Sequence, residues 1–262
     1  MILPLSPILY LILVNDIPNS INKYAELSQF ADDISLWSSA YTCQGAAHKL
    51  QKAVNILESW CRQWRIKING TKSNLLLIHR LKDKTPDNLA ISMFDDIIKP
   101  CPERSATFLG VDIDDRLSFK KHFEKICGKA QRRLNVLKAL SYGGVKKEIL
   151  INLYSTYIRP LFEYGSLAFI ATIKENFAKA QKIQNEAIRI ALRLPSYLHI
   201  DRLHEAALIP KLYIRILSLN ISLLQKMSKN ELIMKTIQRR QDIIEISSQN
   251  SPLDIFFEGR HR

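Results

Sequence analysis

Apolar positions along this chain follow two periods, strand and helix, mixed up to about residue 119 and helical after it. Met1 to Val14 is almost continuously apolar. Ser6-Pro7 supplies a helix start there, a hydroxyl cap followed by proline at the first helical position. The pattern predicts a helix running to Leu13 or Asn15, closed before Pro18 and buried on most sides. From Leu27 to Trp37, β-favouring residues flank Asp32-Asp33, which predicts a strand, a tight turn and a returning strand. Ala47, Leu50, Val54, Leu57, Cys61 and Trp64 recur at steps of three and four, an amphipathic helix in which Trp60 and Trp64 serve packing. Arg65 to Ile68 and Leu75 to Ile78 read as strands joined by the polar turn Asn69-Gly70-Thr71-Lys72-Ser73. Residues 81 to 105 are polar and proline-bearing, with an edge hairpin expected about Ile91 to Lys99. Thr107 to Ile113 and Leu117 to Phe119 then flank Asp114-Asp115, assigned to turn chemistry.

Beyond residue 119 the period is helical. Phe123, Ile126, Ala130, Leu134 and Leu137 form one stripe, ended by Gly143-Gly144. A second helix is predicted from about Lys146 to Tyr164, with Ile149, Leu153, Tyr157 and Leu161 inward and a bend at Pro160. A third spans about Lys174 to Leu194, with Phe177, Ala180, Ile183, Ala187, Ile190 and Leu194 in register, and a fourth lies near Lys211 to Met227. These make a helical bundle. The last thirty or so residues have little periodicity and are expected to form a frayed tail. The fold class is α+β: antiparallel hairpins packed on helices, then an all-helical bundle.

Composition adds a partner class. The 262 residues hold a formal net charge of +13 with a pI near 9.6, which favours a polyanion such as nucleic acid or an anionic membrane surface. The charge is concentrated. Lys120, Lys121, Lys125, Lys129, Arg132, Arg133 and Lys138 crowd the outer faces of the helix after Phe119, against a single acid, Glu124. One sign at this density suits a phosphate backbone, although a charged helix face is more often just solvated. Cysteines 43, 61, 101 and 127 lack metal-ligand spacing and read as reduced thiols of an intracellular protein, core fillers and not ligands. The opening apolar run lacks a basic start, is broken by Pro4 and Pro7 and is too short to span a bilayer. The expected location is therefore nucleus or cytoplasm, without secretion or membrane insertion. A hydrolase built on Asp-Asp and the six histidines is disfavoured, because no His stands near Asp32 at metal-ligand spacing.

Asp-Asp occurs three times, at 32-33, 95-96 and 114-115. The setting of the first, Phe30-Ala31 before and Ile34-Ser35-Leu36-Trp37 after, resembles the F/Y-x-D-D box of reverse transcriptases. The flanking segments are similar to those of non-LTR retrotransposons, most closely jockey-type elements. Leu5-Ser6-Pro7-Ile8-Leu9-Tyr10 with Val14-Asn15-Asp16-Ile17-Pro18 resembles the end of that family's nucleotide-pocket motif and its following helix. Its glycine-rich approach, roughly Gly-x-Pro-Gln-Gly, does not stand before Leu5. Trp60-Cys61-Arg62-Gln63-Trp64, Ile68-Asn69 and Lys72-Ser73 resemble the next motif. Phe108-Leu109-Gly110-Val111 with Asp114 to Phe119 resembles the hairpin that grips the primer. Tyr157 to Gly165 and Gln184 to Arg189 are similar to segments beyond the polymerase core. The resemblance runs in order from residue 1 to about 210.

The resemblance implies a partial right-hand polymerase palm over residues 1–118 with a primer-grip-like hairpin, a helical thumb and bundle over 119–230, and a poorly ordered tail over 231–262. It implies an RNA template, a DNA primer and templated nucleotide addition by two Mg²⁺ ions. Asp32 and Asp33 would be metal ligands, and Lys72 would lie near the incoming nucleotide's phosphates as a candidate proton donor, with surface solubility an almost equal reading of that lysine. Lys120, Lys121, Lys125, Lys129, Arg132 and Arg133 would follow the primer-template groove. The family's further metal-bridging Asp lies on a strand upstream of the pocket motif, without a counterpart in these residues. The expectation is a reverse transcriptase fragment not competent by itself. Two alternatives stay open: a non-catalytic nucleic-acid-binding remnant, and a gene-model fragment without selected function. Oligomeric state is not legible.

Overall fold

The computed structural model describes residues 5–78, 89–169, 174–231 and 234, with the backbone alone at 174 and 175. They form two compact units dividing between Leu109 and Gly110. The expected division lay after residue 118. The expected tail lies almost wholly outside the described residues.

In the first unit, Leu5–Val14 form α1. It is not buried on most sides as its composition predicted, since Leu5, Ile8, Leu9, Leu11 and Ile12 are exposed. An apolar helix is covered only where a second element lies against it. Here Tyr10, Leu13 and Val14 are half-buried, and none of the helix's residues is fully so. The predicted hairpin is present: β1 (Glu26–Phe30) pairs antiparallel with β2 (Asp33–Trp37), in the register Leu27 to Leu36 and Phe30 to Asp33. Helix α2 (Cys43–Gln63) follows, capped by Thr42, whose hydroxyl accepts from the Gly45 amide at 3.0 Å. Ala53, Val54, Leu57, Trp60 and Cys61 are buried along it. Ile21, Ala25, Leu27, Ile34 and Leu36 share a core with this face. Trp64 is the exception: it caps the helix C-terminus and is 42% exposed.

Strands at Arg65–Ile68 and Leu75–Ile78 do not form. Between them a short 3₁₀ turn spans Gly70–Lys72, and Leu75 makes one isolated parallel bridge to Pro100. A strand is stable only in a ladder, and among the described residues these two segments find no neighbour beyond that single bridge. The edge hairpin is as expected, β3 (Ile91–Met93) with β4 (Asp96–Ile98), packed on Val54. The Gln51 side chain extends β3 sideways: it accepts from the Ser92 amide and donates to the Ser92 carbonyl, both at 2.7 Å.

β5 (Ser105–Phe108) and β6 (Val111–Asp114) form the third two-stranded sheet. The predicted single strand from Thr107 to Ile113 is broken at Leu109-Gly110, where φ is +46° and +77°. These are left-handed values that glycine adopts without strain. The hairpin therefore turns there and not at Asp114-Asp115, and Leu117 to Phe119 is not a strand.

The second unit is built on α3 (Lys120–Tyr142), whose buried residues include all five of the predicted stripe. Next come α4 (Lys147–Leu153), a π turn (Tyr154–Ile158), α5 (Pro160–Glu163) and α6 (Ser166–Phe169). The bend at Pro160 takes this form because proline has no N–H for an i−4 bond, and the chain widens before it: Arg159 N–H donates to Tyr154 O, five residues back, at 2.9 Å. The inward face differs from the prediction by one residue. Leu150, Tyr154, Ile158 and Phe162 are buried, whereas Ile149 and Tyr157 are exposed and Leu153 and Leu161 half-buried. Both sets have the same spacing. Helix α7 (Lys174–Leu192) runs through the core, α8 (Ile200–Ala207) was not foreseen, and α9 (Leu212–Ser228) closes the order. Among the described residues no single helix is long and apolar enough to cross a membrane. All four cysteines are free; Cys61 is buried in the core, Cys127 is half-buried against the second unit's core, and Cys43 and Cys101 are half-buried without belonging to a core cluster.

Candidate functional site

The two-residue turn Ala31-Asp32 places Asp32 at the hairpin tip and Asp33 at the first position of β2. Ala31 takes φ +50°, a value costly for a residue with a Cβ. Two donors hold it there. The Tyr10 hydroxyl from α1 reaches the Ala31 carbonyl at 3.0 Å, and the Gln29 amide reaches the same oxygen at 3.1 Å. Beside this turn, α1, the loop after it and β1 enclose an open pocket of about 390 Å³ lined by Asn15, Asn19, Asn22 and Gln29 among apolar residues. Tyr10 and Gln29 were missed by sequence reasoning. Tyr10 ends a motif already singled out, but nothing in the sequence says that its hydroxyl meets a turn 21 residues away.

The three Asp-Asp pairs separate by what their carboxylates touch. Asp32 and Asp33 are exposed, and their carboxylates make no hydrogen bond or ion pair among the described residues. Asp95 and Asp96 repeat the same local geometry: Phe94 has φ +52°, Asp95 is second in the turn, and Asp96 pairs with Met93. Asp96, however, lies against Gly70, where an added Cβ would stand 2.2 Å from its carboxylate oxygen. Asp114 is fully engaged. Its Oδ1 accepts from the Arg116 and Ser118 amides at 3.0 and 2.9 Å; its Oδ2 accepts from the Ser118 hydroxyl and the Phe119 amide at 3.0 and 2.6 Å. This bears out the turn assignment and fixes the loop that leads into α3, where the Ser118 hydroxyl in turn accepts from the Lys120 amide at 3.3 Å. The hairpin shape alone therefore does not select the first pair; it is the pair in which both carboxylates are exposed, whereas Asp95 lies within the field of Arg62, Asp96 is half-buried against Gly70 and Asp114 is bound by its own loop.

Free carboxylates are hard oxygen donors of the kind that Mg²⁺ takes. Two such side chains fit part of a site. Among the described residues no group of three His, Cys, Asp or Glu is placed to hold a metal ion. Lys72 is exposed in the 3₁₀ turn, which Asn69 organises by accepting from the Thr71 amide and hydroxyl at 3.0 and 2.7 Å. It belongs to the same unit as the Asp32 hairpin, on a separate turn.

In the second unit, the six basic candidates of α3 have different fates. Lys120, Lys121, Lys129 and Arg132 are exposed. Lys125 is exposed too but is ion-paired, its Nζ 2.9 Å from both oxygens of Asp112, which is buried. The single-acid reading missed this partner because Asp112 comes from β6. Arg133 is also engaged: its guanidinium carbon lies 4.2 Å from the centre of the Tyr157 ring, and Nη1 donates to the Tyr157 carbonyl. Behind Lys125, the buried His122 accepts from the Asp112 amide at 3.3 Å. Burial pushes its imidazole below the ordinary range.

Residues 3–113 match the family "Reverse transcriptase (RNA-dependent DNA polymerase)". The chain is similar to a probable RNA-directed DNA polymerase from transposon BS of Drosophila melanogaster, at 29% identity over 213 residues, 76% of this chain and 23% of that protein. It is also similar to one from transposon X-element of the same fly, at 27% identity over 207 residues, 76% of this chain and 22% of that protein. The chain thus spans less than a quarter of the length of these curated relatives. No solved structure matches it.

Proposed function

We propose that this chain, whose residues 3–113 match the reverse transcriptase family, contributes the Asp-Asp hairpin and a basic helical surface to an RNA-directed DNA polymerase. The observation that supports this best is the hairpin tip, where Tyr10 and Gln29 brace the turn while both carboxylates stay unpaired. Asp32 and Asp33 would hold Mg²⁺, which activates a hydroxyl nucleophile and neutralises a leaving phosphate when bound. The chain's own part is to fix where those oxygens stand. Lys72 is the candidate for contacting the nucleotide's phosphates. Two carboxylates are part of a two-metal ligand set, so the remaining ligands would come from other parts of a longer polymerase, and the 262 residues by themselves would not extend a primer. An RNA template and a DNA primer are the proposed partners. The exposed cations of α3 would neutralise phosphates in the second unit.

The test replaces the matching segment of the transposon BS polymerase with residues 3–113 of this chain and measures primer extension on RNA with Mg²⁺ and deoxynucleotides. The chimera is expected to extend the primer, and its Asp32→Ala variant to lose at least about 10²-fold in rate. An unaffected Asp32→Ala variant would remove Asp32 from the metal site.

A non-catalytic nucleic-acid-binding role is favoured by a separate observation, the exposed Lys120, Lys121, Lys129 and Arg132. Its mark is salt-steep binding that needs no Mg²⁺.

A further inference from the structure

The outer surface of α3 is not a uniform basic face. Lys129, Arg132, Arg133 and Val136 line one side of a shallow pocket of about 260 Å³, and Tyr157 closes the other. Tyr157 stands in the π turn, a widened backbone that recurs at functional sites. It is 41% exposed although its neighbours Tyr154 and Ile158 are wholly buried. The Arg133 guanidinium carbon lies 4.2 Å from the centre of its ring, and the side chain is oriented by the bond from Nη1 to the Tyr157 carbonyl. A planar cation and an aromatic ring are thus held against each other at the surface. Both present faces on which a nucleobase stacks. Lys129, one helical turn before Arg133, and Arg132 beside it are exposed. The one acid of α3, Glu124, lies more than a turn further back, so the pocket has cations at its rim, an aromatic floor and an aliphatic wall.

We propose that this pocket holds one unpaired nucleotide of a single-stranded nucleic acid, its base stacked on the Tyr157–Arg133 pair and its flanking phosphates against Lys129 and Arg132. A duplex suits it less, because paired bases cover one another's faces and leave a stacking platform nothing to meet. The inference rests on the nucleic-acid-binding part of the proposed function and specifies the strandedness that part leaves open.

The experiment is fluorescence anisotropy of a labelled single-stranded RNA, the same RNA as a duplex, and a single-stranded series with one abasic position, titrated with the full chain. Tyr157→Ala is expected to weaken single-strand binding roughly 5- to 100-fold. Tyr157→Phe, which keeps the ring, should change it less than about 2-fold. The salt slope should be unaltered in both, whereas Arg132→Ala should reduce it by about 0.7. At least one abasic position should reproduce the Tyr157→Ala loss with unmodified protein, independently of how that variant folds. Equal loss on single strand and duplex, unchanged single-strand affinity in Tyr157→Ala, or an abasic series without effect would each overturn the pocket. Duplex binding without single-strand binding overturns the pocket alone; binding of neither overturns the nucleic-acid reading with it.

Discussion

Removing the Asp114 carboxylate should destabilise the loop that leads into the basic helix, and the second unit with it, out of proportion to the residue's place in a turn. Four donors converge on this one side chain, the amides of Arg116, Ser118 and Phe119 and the Ser118 hydroxyl. Hydrogen bonds to a charged acceptor each contribute about 1.5–3 kcal/mol. The four share one side chain and partly open to water when it goes, so they do not add. Phe119 also keeps φ +53° at the first turn of α3, a conformation that its bond to Asp114 helps to hold. Asp114→Ala should therefore cost about 2–4 kcal/mol. Asp114→Asn keeps one acceptor oxygen, turns an NH₂ toward the Phe119 amide, and should cost about 1–2 kcal/mol. Urea denaturation followed by far-UV circular dichroism reads the loss. All three tryptophans, at 37, 60 and 64, lie in the first unit, so their fluorescence gives an internal reference. An Asp114→Ala change within about 0.5 kcal/mol of the parent, the range for an ordinary surface substitution, would refute the reasoning.

Two further outcomes follow from the second unit. Leu150→Ala removes a fully buried side chain and should cost about 2–5 kcal/mol, whereas Ile149→Ala, 55% exposed, should stay within about 0.5 kcal/mol; urea midpoints in the reverse order would show that the other stripe faces the core. His122 is held below its ordinary value of 6.5 chiefly by burial, helped by Lys125 and Lys129 and opposed by Asp112. The unfolded chain therefore takes up the proton first, so the stability tied to neutral His122 is present above about pH 6.5 and is lost as pH falls through the folded value. The urea midpoint should drop between about pH 7.5 and about pH 5, and His122→Gln should flatten that drop; an equal slope in the variant would exclude His122 as its source.

Much of the arrangement is legible from local pattern because local physics decides it. The Asp32 hairpin, the edge hairpin and the buried stripe of α3 each depend on neighbours a few residues away, and each stands where the periods place it. Errors cluster where two readings share one spacing. Ile149-Leu153-Tyr157-Leu161 and Leu150-Tyr154-Ile158-Phe162 are equally apolar and equally periodic. Packing in the shared core with α3 and α7 chooses the second. Arg65–Ile68 and Leu75–Ile78 have strand composition, but composition does not supply a ladder partner. Leu109-Gly110 was read through as strand, although a glycine inside a strand pattern is a recognised signal for a break. The helix at Ile200–Ala207 was passed over.

The sequence by itself determined the Asp32 and edge hairpins, the buried stripe and basic character of α3 and the likeness to reverse transcriptases, because these reside in residue identity and short-range spacing. Only the tertiary structure decided which acids are free and which cations are spent. Asp114 is saturated by amides from its own loop, Asp96 rests on Gly70, and Asp32 and Asp33 remain open on a turn braced from α1. Lys125 is neutralised by Asp112 and Arg133 is laid on Tyr157. Those partners lie 13 to 24 residues away along the chain, beyond the reach of any helical or strand period. Charge availability at a site is a property of contacts, and contacts between separate elements exist only once the chain has folded.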